Sequence, residues 1–137
     1  MEKILLADDD AEVLEIATTI LSKEGYEVIP AKDGDEAIEK ARAKPDVILL
    51  DYLMPGKSGI EVLTVLKKDP ELKMIPVIMV TAHPMEKERS LSAGAVDFVV
   101  KPVEKTDLLL RIKSVLKVRH INNELQKIIA YIDQLQK

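Results

Sequence analysis

Five short apolar runs alternate with longer amphipathic stretches along this chain, and the alternation limits the possible folds more than any other feature of the sequence. Each run is apolar nearly throughout, which is typical of strands that are covered on both faces. The runs are Lys3–Ala7, Tyr26–Pro30, Asp46–Leu50, Ile75–Val80 and Phe98–Val100. Strands that alternate with helices predict an α/β fold, here a doubly wound sheet of five parallel strands.

Helical spacing of apolar residues marks the stretches that follow these runs. The stretches are Ala11–Glu24, Asp33–Ala43, Ser58–Lys67, Met85–Ala93 and Thr106–Lys117. Gly25 and Gly94 are expected helix ends, and Asp33 and Thr106 are expected to cap two helices. Because parallel crossovers are right-handed, few arrangements remain, and we expect the strand order 2-1-3-4-5. In that order a ligand crevice lies outside the carboxyl ends of strands 1 and 3.

Composition excludes several kinds of site. The chain has no Cys, so disulfides, thiolate metal sites and Cys nucleophiles are excluded. The net charge is −4, without a basic block and without Trp, so no direct nucleic-acid binding is expected. Apolar runs such as Val47–Leu50 are too short to cross a bilayer, and acidic residues interrupt the N-terminus before a signal peptide could form. We therefore expect a cytoplasmic protein with no membrane association.

Three acids, a hydroxyl and an ammonium group follow the strands at the expected crevice. They are Asp8, Asp9, Asp51, Thr81 and Lys101. Two carboxylates about 4 Å apart repel by roughly 4 kcal/mol at an effective dielectric constant of 20, so such a group needs a cation. All-oxygen ligands suit Mg²⁺, which pairs naturally with phosphate. A carboxylate can attack phosphorus to form an aspartyl phosphate, a reaction that depends mainly on positioning and charge neutralisation.

Each of these residues also has an ordinary interpretation when it is taken alone. An acid before the first helix can cap it, and we assign Asp10 to that role. Thr81 alone would be a loop hydroxyl, and Lys101 alone a solvated surface charge. Asp51 is harder to explain in this way, because it ends a buried central strand. The combination of all five at one crevice therefore carries the functional interpretation.

The sequence resembles the receiver domain of response regulators of two-component systems, from Lys3 to about Lys117. The matching segments are Ile4–Asp10, Asp46–Asp51, Met54–Gly59, Val80–Ala82, Gly94–Phe98 and Lys101–Pro102. The resemblance implies a flavodoxin-like fold and a protein that is not an enzyme, beyond assisting its own aspartyl phosphorylation and dephosphorylation. It also implies that a sensor histidine kinase is the partner and that Asp51 accepts the phosphoryl group.

Further site residues are implied by the same resemblance. Asp9, Asp51 and the backbone carbonyl of Leu53 would ligate Mg²⁺, with Asp8 acting mostly through water. Lys101 would form a salt bridge with the phosphoryl group, and Thr81 would move to hydrogen-bond it. Phe98 would be the switch aromatic, and the Lys101–Pro102 bond would be cis. Asp97 and Arg111 match positions that form an intermolecular ion pair on the face of helix 4, strand 5 and helix 5; two ordinary surface charges are an equal alternative.

Leu53 and His83 lie where receivers flank the path of the hydrolytic water. We hypothesise that the bulky Leu53 hinders this water and slows dephosphorylation. For His83, a partly exposed loop histidine and a proton-transfer role remain equal alternatives.

The helical pattern continues without Pro or Gly beyond the receiver, so we divide the chain into a receiver domain, 1–117, and a helical extension, 118–137. Six large apolar residues repeat there at alternating spacings of three and four, typical of a coiled-coil seam. They are Val118, Ile121, Leu125, Ile128, Ile132 and Leu135. A helix over Glu104–Lys137 would be roughly 50 Å long and would project. We favour a parallel coiled-coil homodimer; the alternatives are packing on the same subunit and a linker to an output module.

Three other functions are alternatives to the receiver. A phosphatase resembling the haloacid-dehalogenase group would use Asp8 and Asp10 as an Asp-x-Asp pair, but it would leave Asp51 and Pro55 unexplained. A pseudo-receiver would bind a partner without phosphorylation, but it has no reason to keep the complete set of acids, Thr81 and Lys101. A nucleotide-binding protein lacks support, since no Gly-rich loop follows strand 1.

Overall fold

The computed structural model describes residues 1–136, in which five parallel strands form one sheet in the order β2-β1-β3-β4-β5. The strands are β1 (Lys3–Ala7), β2 (Glu27–Ala31), β3 (Val47–Asp51), β4 (Val77–Thr81) and β5 (Asp97–Val100). The expected fold class and strand order are confirmed. The observed bounds of the strands differ from the expected ones by at most two residues.

Five α-helices connect and follow the strands. They are α1 (Ala11–Lys23), α2 (Gly34–Ala41), α3 (Gly59–Lys68), α4 (Lys87–Ser92) and α5 (Lys105–Leu135), and a 3₁₀ turn, Pro84–Glu86, precedes α4. Asp10 and Asp33 cap α1 and α2 as expected, because their carboxylates accept backbone N–H groups of the first turn. Helix α4 begins later than Met85, because the chain first forms this 3₁₀ turn with Pro84 at its start.

The expectation that Thr106 caps the last helix is wrong. The cap is Glu104, whose carboxylate accepts the N–H of Thr106 at 3.0 Å and that of Asp107 at 2.8 Å. Glutamate is not among the residues preferred at this position, which is why the sequence pointed to the threonine. Thr106 lies inside the first turn of α5 instead.

The core has two layers, one on each face of the sheet, because successive strand side chains point to opposite faces. One layer includes Leu5, Ile48 and Leu50 and packs against α2 and α3. The other includes Ile4 and Leu49 and packs against α1 and α5. Strands β3 and β4 are buried throughout, so the residues at their carboxyl ends emerge from a rigid support.

Helix α5 continues unbroken for 31 residues, about 46 Å at 1.5 Å per residue. Its buried residues, Leu108, Leu109, Ile112 and Leu116, all lie in its first half. Arg119 donates to the backbone oxygen of Asp46 at 3.1 Å, and every described residue from His120 to Gln136 is exposed. The expected extended helix is confirmed, and Lys137 lies outside the described residues. Within residues 1–136, no helix has the length and apolar character that a bilayer crossing requires.

Candidate functional site

Three carboxylates meet at the carboxyl ends of β1 and β3. The two strands are neighbours in register, with Ala7 beside Leu50, so the residues that follow are brought together. Oxygen atoms of Asp8, Asp9 and Asp51, which we call the carboxylate cluster, all lie within 4.8 Å of one another. Asp8 and Asp51 are buried, with 4% and 6% of their surface exposed, whereas Asp9 is exposed. The cluster is therefore open to solvent on the side of Asp9.

Helix α3 is packed tightly against the end of β3 and holds Asp51 in place. Gly59, its first residue, donates its N–H to the oxygen of Tyr52 at 2.8 Å. A Cβ atom at Gly59 would lie 2.5 Å from the backbone oxygen of Asp51. Only glycine allows the helix to approach the strand this closely.

Lys101 reaches the carboxylate cluster from the end of β5. Its Nζ lies 3.2 Å from an oxygen of Asp8 and 3.2 Å from an oxygen of Asp51. Its backbone N–H donates to the oxygen of Thr81 at 2.7 Å, which joins the ends of β4 and β5. The Lys101–Pro102 bond is cis, as the resemblance implied.

Thr81 is buried at the end of β4, and its Oγ1 accepts the N–H of His83 at 3.2 Å. Phe98 is also buried and packs in the core layer below α3. Leu53, two residues after Asp51, has 60% of its surface exposed. All of the residues expected at the crevice therefore belong to strand ends or to the turns that follow them.

The electrostatics of the site are dominated by the buried charge of Asp51. Burial, followed by the negative charge of Asp8, raises the pKa of Asp51 from its usual 3.8 to about 6, although Lys101 acts in the opposite direction. Burial lowers the pKa of Lys101, but the charges of Asp51 and Asp8 outweigh it, so this pKa lies above its ordinary value. One ammonium group thus compensates the three carboxylates incompletely, and a further cation would be stabilised here.

Asp10 does not belong to the carboxylate cluster. Its carboxylate accepts the N–H of Glu12 at 2.9 Å and caps α1. Its own N–H donates to Asp8 at 2.9 Å and so helps to hold the Asp8 side chain. An Asp8-x-Asp10 pair of the phosphatase type is therefore not presented to the crevice.

Asp97 and Arg111 contact each other within the chain, where the resemblance implied a pair between two chains. Their side chains are 2.7 Å apart, and Nε of Arg111 also donates to the carboxylate of Asp107 at 3.0 Å. Sequence reasoning missed Asp107, although its i,i+4 spacing from Arg111 was a usable signal. It also missed the close approach of Gly59 to the backbone of Asp51. The only signal for this contact in the sequence was the presence of a glycine.

Comparison with known proteins identifies the family. The family model of the response regulator receiver domain matches residues 4–113. The chain is a member of this family. The chain is 36% identical over 118 residues to the phosphate regulon transcriptional regulatory protein PhoB of Klebsiella pneumoniae, covering 84% of this chain and 52% of PhoB. It is 38% identical over 128 residues to the transcriptional regulatory protein CpxR of Escherichia coli K12, covering 92% of this chain and 54% of CpxR.

Solved structures are also similar to this chain. The chemotaxis protein CheY4 of Vibrio cholerae matches with a TM-score of 0.79 and 33% identity, covering 84% of this chain and 98% of CheY4. The receiver domain of the Francisella response regulator 1452 matches with a TM-score of 0.80 and 30% identity, covering 87% of this chain and 99% of that one. This chain is therefore a receiver domain of a response regulator in two-component signalling. It spans about half the length of the curated relatives it matches.

Proposed function

We propose that Asp51 accepts a phosphoryl group from the phosphohistidine of a sensor histidine kinase. The observation that supports this most is the contact of Lys101 Nζ with both Asp51 and Asp8, 3.2 Å from each, beside the exposed Asp9. This arrangement keeps a buried carboxylate and a fixed cation at one solvent-accessible point. It is the pairing that transfer of a phosphoryl group to an aspartate requires.

In the proposed transfer, a carboxylate oxygen of Asp51 attacks phosphorus while the phosphorus–nitrogen bond of the phosphohistidine breaks. The electron pair of that bond stays with the leaving imidazole nitrogen. Asp51 must be ionised to act as the nucleophile. With a pKa of about 6, most of Asp51 is ionised at pH 7.5 even before a further cation binds.

Lys101 and Thr81 act on the phosphoryl oxygens in this proposal. Lys101 exchanges its carboxylate partners for a phosphoryl oxygen and stabilises its negative charge. Thr81 turns its hydroxyl, whose oxygen now accepts the N–H of His83, toward another phosphoryl oxygen. Phe98 then follows Thr81, and the face built from α4, β5 and α5 changes its shape.

Mg²⁺ is the cofactor that the carboxylate cluster fits best. The donor atoms are all oxygens, within 4.8 Å of one another, and hard oxygen ligands with an open side suit this ion. Asp9, Asp51 and the backbone carbonyl of Leu53 would hold it, and Asp8 would act through water. When bound, Mg²⁺ supplies positive charge that neutralises the carboxylates and the transferring phosphoryl group.

Residues 1–117 act as the phosphorylated unit, and residues 118–137 connect it to a partner or an output module. Asp97 and Arg111 exchange their contact within the chain for one between two receivers that meet at the face of α4, β5 and α5. The protein assists only its own phosphorylation and dephosphorylation, and it does not bind nucleic acid through residues 1–137.

Intact-mass spectrometry after incubation with Mg²⁺ and acetyl phosphate tests the proposal. The wild type should gain one phosphoryl group, and Asp51→Asn should gain none. Asp10→Asn is the matched control, because it removes a neighbouring acid that only caps α1, and it should be phosphorylated like the wild type.

Two other outcomes would overturn the proposal in different ways. A wild type that binds Mg²⁺ in a separate titration but gains no mass would be a pseudo-receiver. Continued turnover of acetyl phosphate by Asp51→Asn would indicate a phosphatase with another nucleophile.

A further inference from the structure

Six large apolar side chains lie exposed along the second half of α5, and we call them the tail stripe. They are Val118, Ile121, Leu125, Ile128, Ile132 and Leu135, each with 49–67% of its surface exposed. Together they present roughly 500 Å² of apolar surface. A patch of this size is comparable to the largest apolar patch of a typical monomeric protein, and such patches are often functional.

The receiver of the same chain does not cover the tail stripe, because the stripe points away from it. Residues of an α-helix are separated by 100° around its axis. The tail stripe therefore lies roughly 180° around the helix axis from the residues of α5 that pack on the domain. Those residues are Leu108, Leu109, Ile112 and Leu116. Since α5 is one unbroken helix, packing on the same subunit would require a break that the structure does not have.

The spacing of the tail stripe predicts that it packs against another helix. Intervals of three and four residues in strict alternation give a repeat of 3.5, which is the repeat of a left-handed coiled coil. Val118, Leu125 and Ile132 occupy the a positions of this repeat. Val118 and Ile132 at a favour two strands, whereas Ile121 and Ile128 at d favour three or four. The number of strands must therefore be measured.

The side chains that flank the stripe allow the chain to pair with itself. In a parallel pair, each g position of one copy faces an e position of the other. The facing pairs are Lys117 with Asn122, Glu124 with Ile129, and Tyr131 with Gln136. None of these pairs joins like charges, and two of them add apolar contact area.

The stripe is continuous with the exposed side of α5 inside the receiver. Leu110, with 63% of its surface exposed, and Ser114 lie at the same angle around the helix axis as the stripe. A second copy related by a two-fold axis parallel to α5 would cover this surface together with the stripe. The combined surface approaches the ~800 Å² that each partner of a standard interface contributes.

We propose that a second copy of this chain packs in parallel against the tail stripe, and that the two tails form a two-stranded coiled coil. The same axis places the exposed sides of the two α5 helices next to each other. The interface forms without phosphorylation, because the stripe is exposed and points outward independently of Asp51. The inference therefore stands apart from the proposed phosphoryl transfer.

Sedimentation equilibrium of the unphosphorylated chain tests the partner. The wild type should be a dimer, and Leu125→Glu should weaken the dimer at least ~100-fold, since it places two like charges in the centre of the seam. Asn123→Glu adds the same charge on the exposed opposite side of the same turn and should dimerise like the wild type. A monomeric wild type at micromolar concentrations, a trimer or tetramer, or an unaffected Leu125→Glu would overturn the proposal.

Disulfide cross-linking tests the orientation, because the natural chain has no Cys. Val118→Cys should form a disulfide-linked dimer in a parallel pair, and Asn123→Cys should not. In an antiparallel pair Val118 would instead face Leu135, about 25 Å further along the helix. Cross-linking only in a mixture of Val118→Cys and Leu135→Cys would show an antiparallel pair and refute the parallel one.

Discussion

The negative charge of Asp51 is unfavourable in the folded protein without a bound cation. Its pKa is raised from 3.8 to about 6, first by burial and then by Asp8. Between these two values the folded state holds a proton that the unfolded state releases. The contribution of Asp51 to stability therefore falls as the pH rises from about 4 to about 6, and it stays unfavourable above pH 6.

We expect Asp51→Asn to stabilise the metal-free protein at neutral pH. One pKa unit corresponds to about 1.4 kcal/mol, so the free energy of unfolding should rise by roughly 2 to 3 kcal/mol at pH 7.5. The difference from the wild type should vanish below pH 4, where both side chains are neutral. Urea unfolding in EDTA at several pH values measures this. An equal difference at all pH values would contradict the assignment of the shift to Asp51.

Leu53 provides a second test at the scale of a residue. If its exposed side chain hinders the hydrolytic water, Leu53→Asn should shorten the half-life of phosphorylated Asp51 several-fold. The half-life is measured by intact mass after removal of acetyl phosphate. Ile16→Asn is the control, because it also replaces an exposed apolar side chain with the same amide, and it should leave the half-life unchanged. An unchanged half-life in Leu53→Asn would refute the hypothesis.

At the scale of the element, the start of α3 is positioned by the absence of a side chain at Gly59. Gly59→Ala forces a Cβ to within 2.5 Å of the backbone oxygen of Asp51 and 2.9 Å of the Cα of Tyr52. Because both contacts are to backbone, the helix must move. We expect a loss of about 1–3 kcal/mol in the free energy of unfolding and slower phosphorylation of Asp51.

Gly25→Ala separates steric crowding from backbone strain in this test. Gly25 has a φ of 90°, but a Cβ there meets no atom within 4 Å. The Gly25→Ala variant should therefore lose about 1 kcal/mol in its free energy of unfolding and keep the wild-type rate of phosphorylation. Equal rates in both variants would show that the packing of α3 does not control the position of Asp51.

The cap of α5 shows why the start of this helix was predicted incorrectly from the sequence. Backbone hydrogen bonds from Asp107 and Thr106 lower the pKa of Glu104. The stabilisation from this cap is therefore present above the ordinary pKa of glutamate and is lost as the pH falls. A glutamate carboxylate can make these bonds only when the preceding backbone places it beside the first turn, and a rule based on residue type does not include that backbone.

At the scale of the whole molecule, we expect the receiver to be complete before the tail begins. The last buried residue among those described in α5 is Leu116, and Arg119 still donates a hydrogen bond to the backbone oxygen of Asp46, which precedes β3. A chain shortened to residues 1–119 should therefore fold cooperatively and be phosphorylated. Its melting temperature should be independent of protein concentration, whereas that of the full chain should rise with concentration, because dimerisation stabilises the folded state.

Calorimetry at two protein concentrations distinguishes these outcomes. A shortened chain that does not fold would show that the tail belongs to the receiver and would contradict the division at residue 117. The same dependence on concentration in both chains would place the dimer interface within residues 1–119.

Most of the crevice could be predicted because the residues that build it follow strands. An apolar run such as Val47–Leu50 identifies a buried strand, and the acid after it must lie at the carboxyl edge of a parallel sheet. The same reasoning predicted the positions of four residues at this edge, which are Asp8, Asp51, Thr81 and Lys101. Asp107 was missed although its i,i+4 spacing from Arg111 was a usable signal, because spacing alone does not determine whether Arg111 turns toward Asp107, toward Asp97 or toward a second chain.

The sequence by itself determined the fold, the strand order and the convergence of the acids, Thr81 and Lys101, because period and handedness are local properties of the chain. It also determined the 3.5-residue repeat of the tail. The tertiary structure alone decided that Asp97 pairs with Arg111 within the chain, that Glu104 caps α5, and that the tail stripe points away from the receiver. The cap depends on the backbone before α5. The ion pair and the direction of the stripe depend on how α5 is rotated about its own axis when Leu108, Ile112 and Leu116 pack on the sheet, and contacts between residues far apart in the sequence set that rotation.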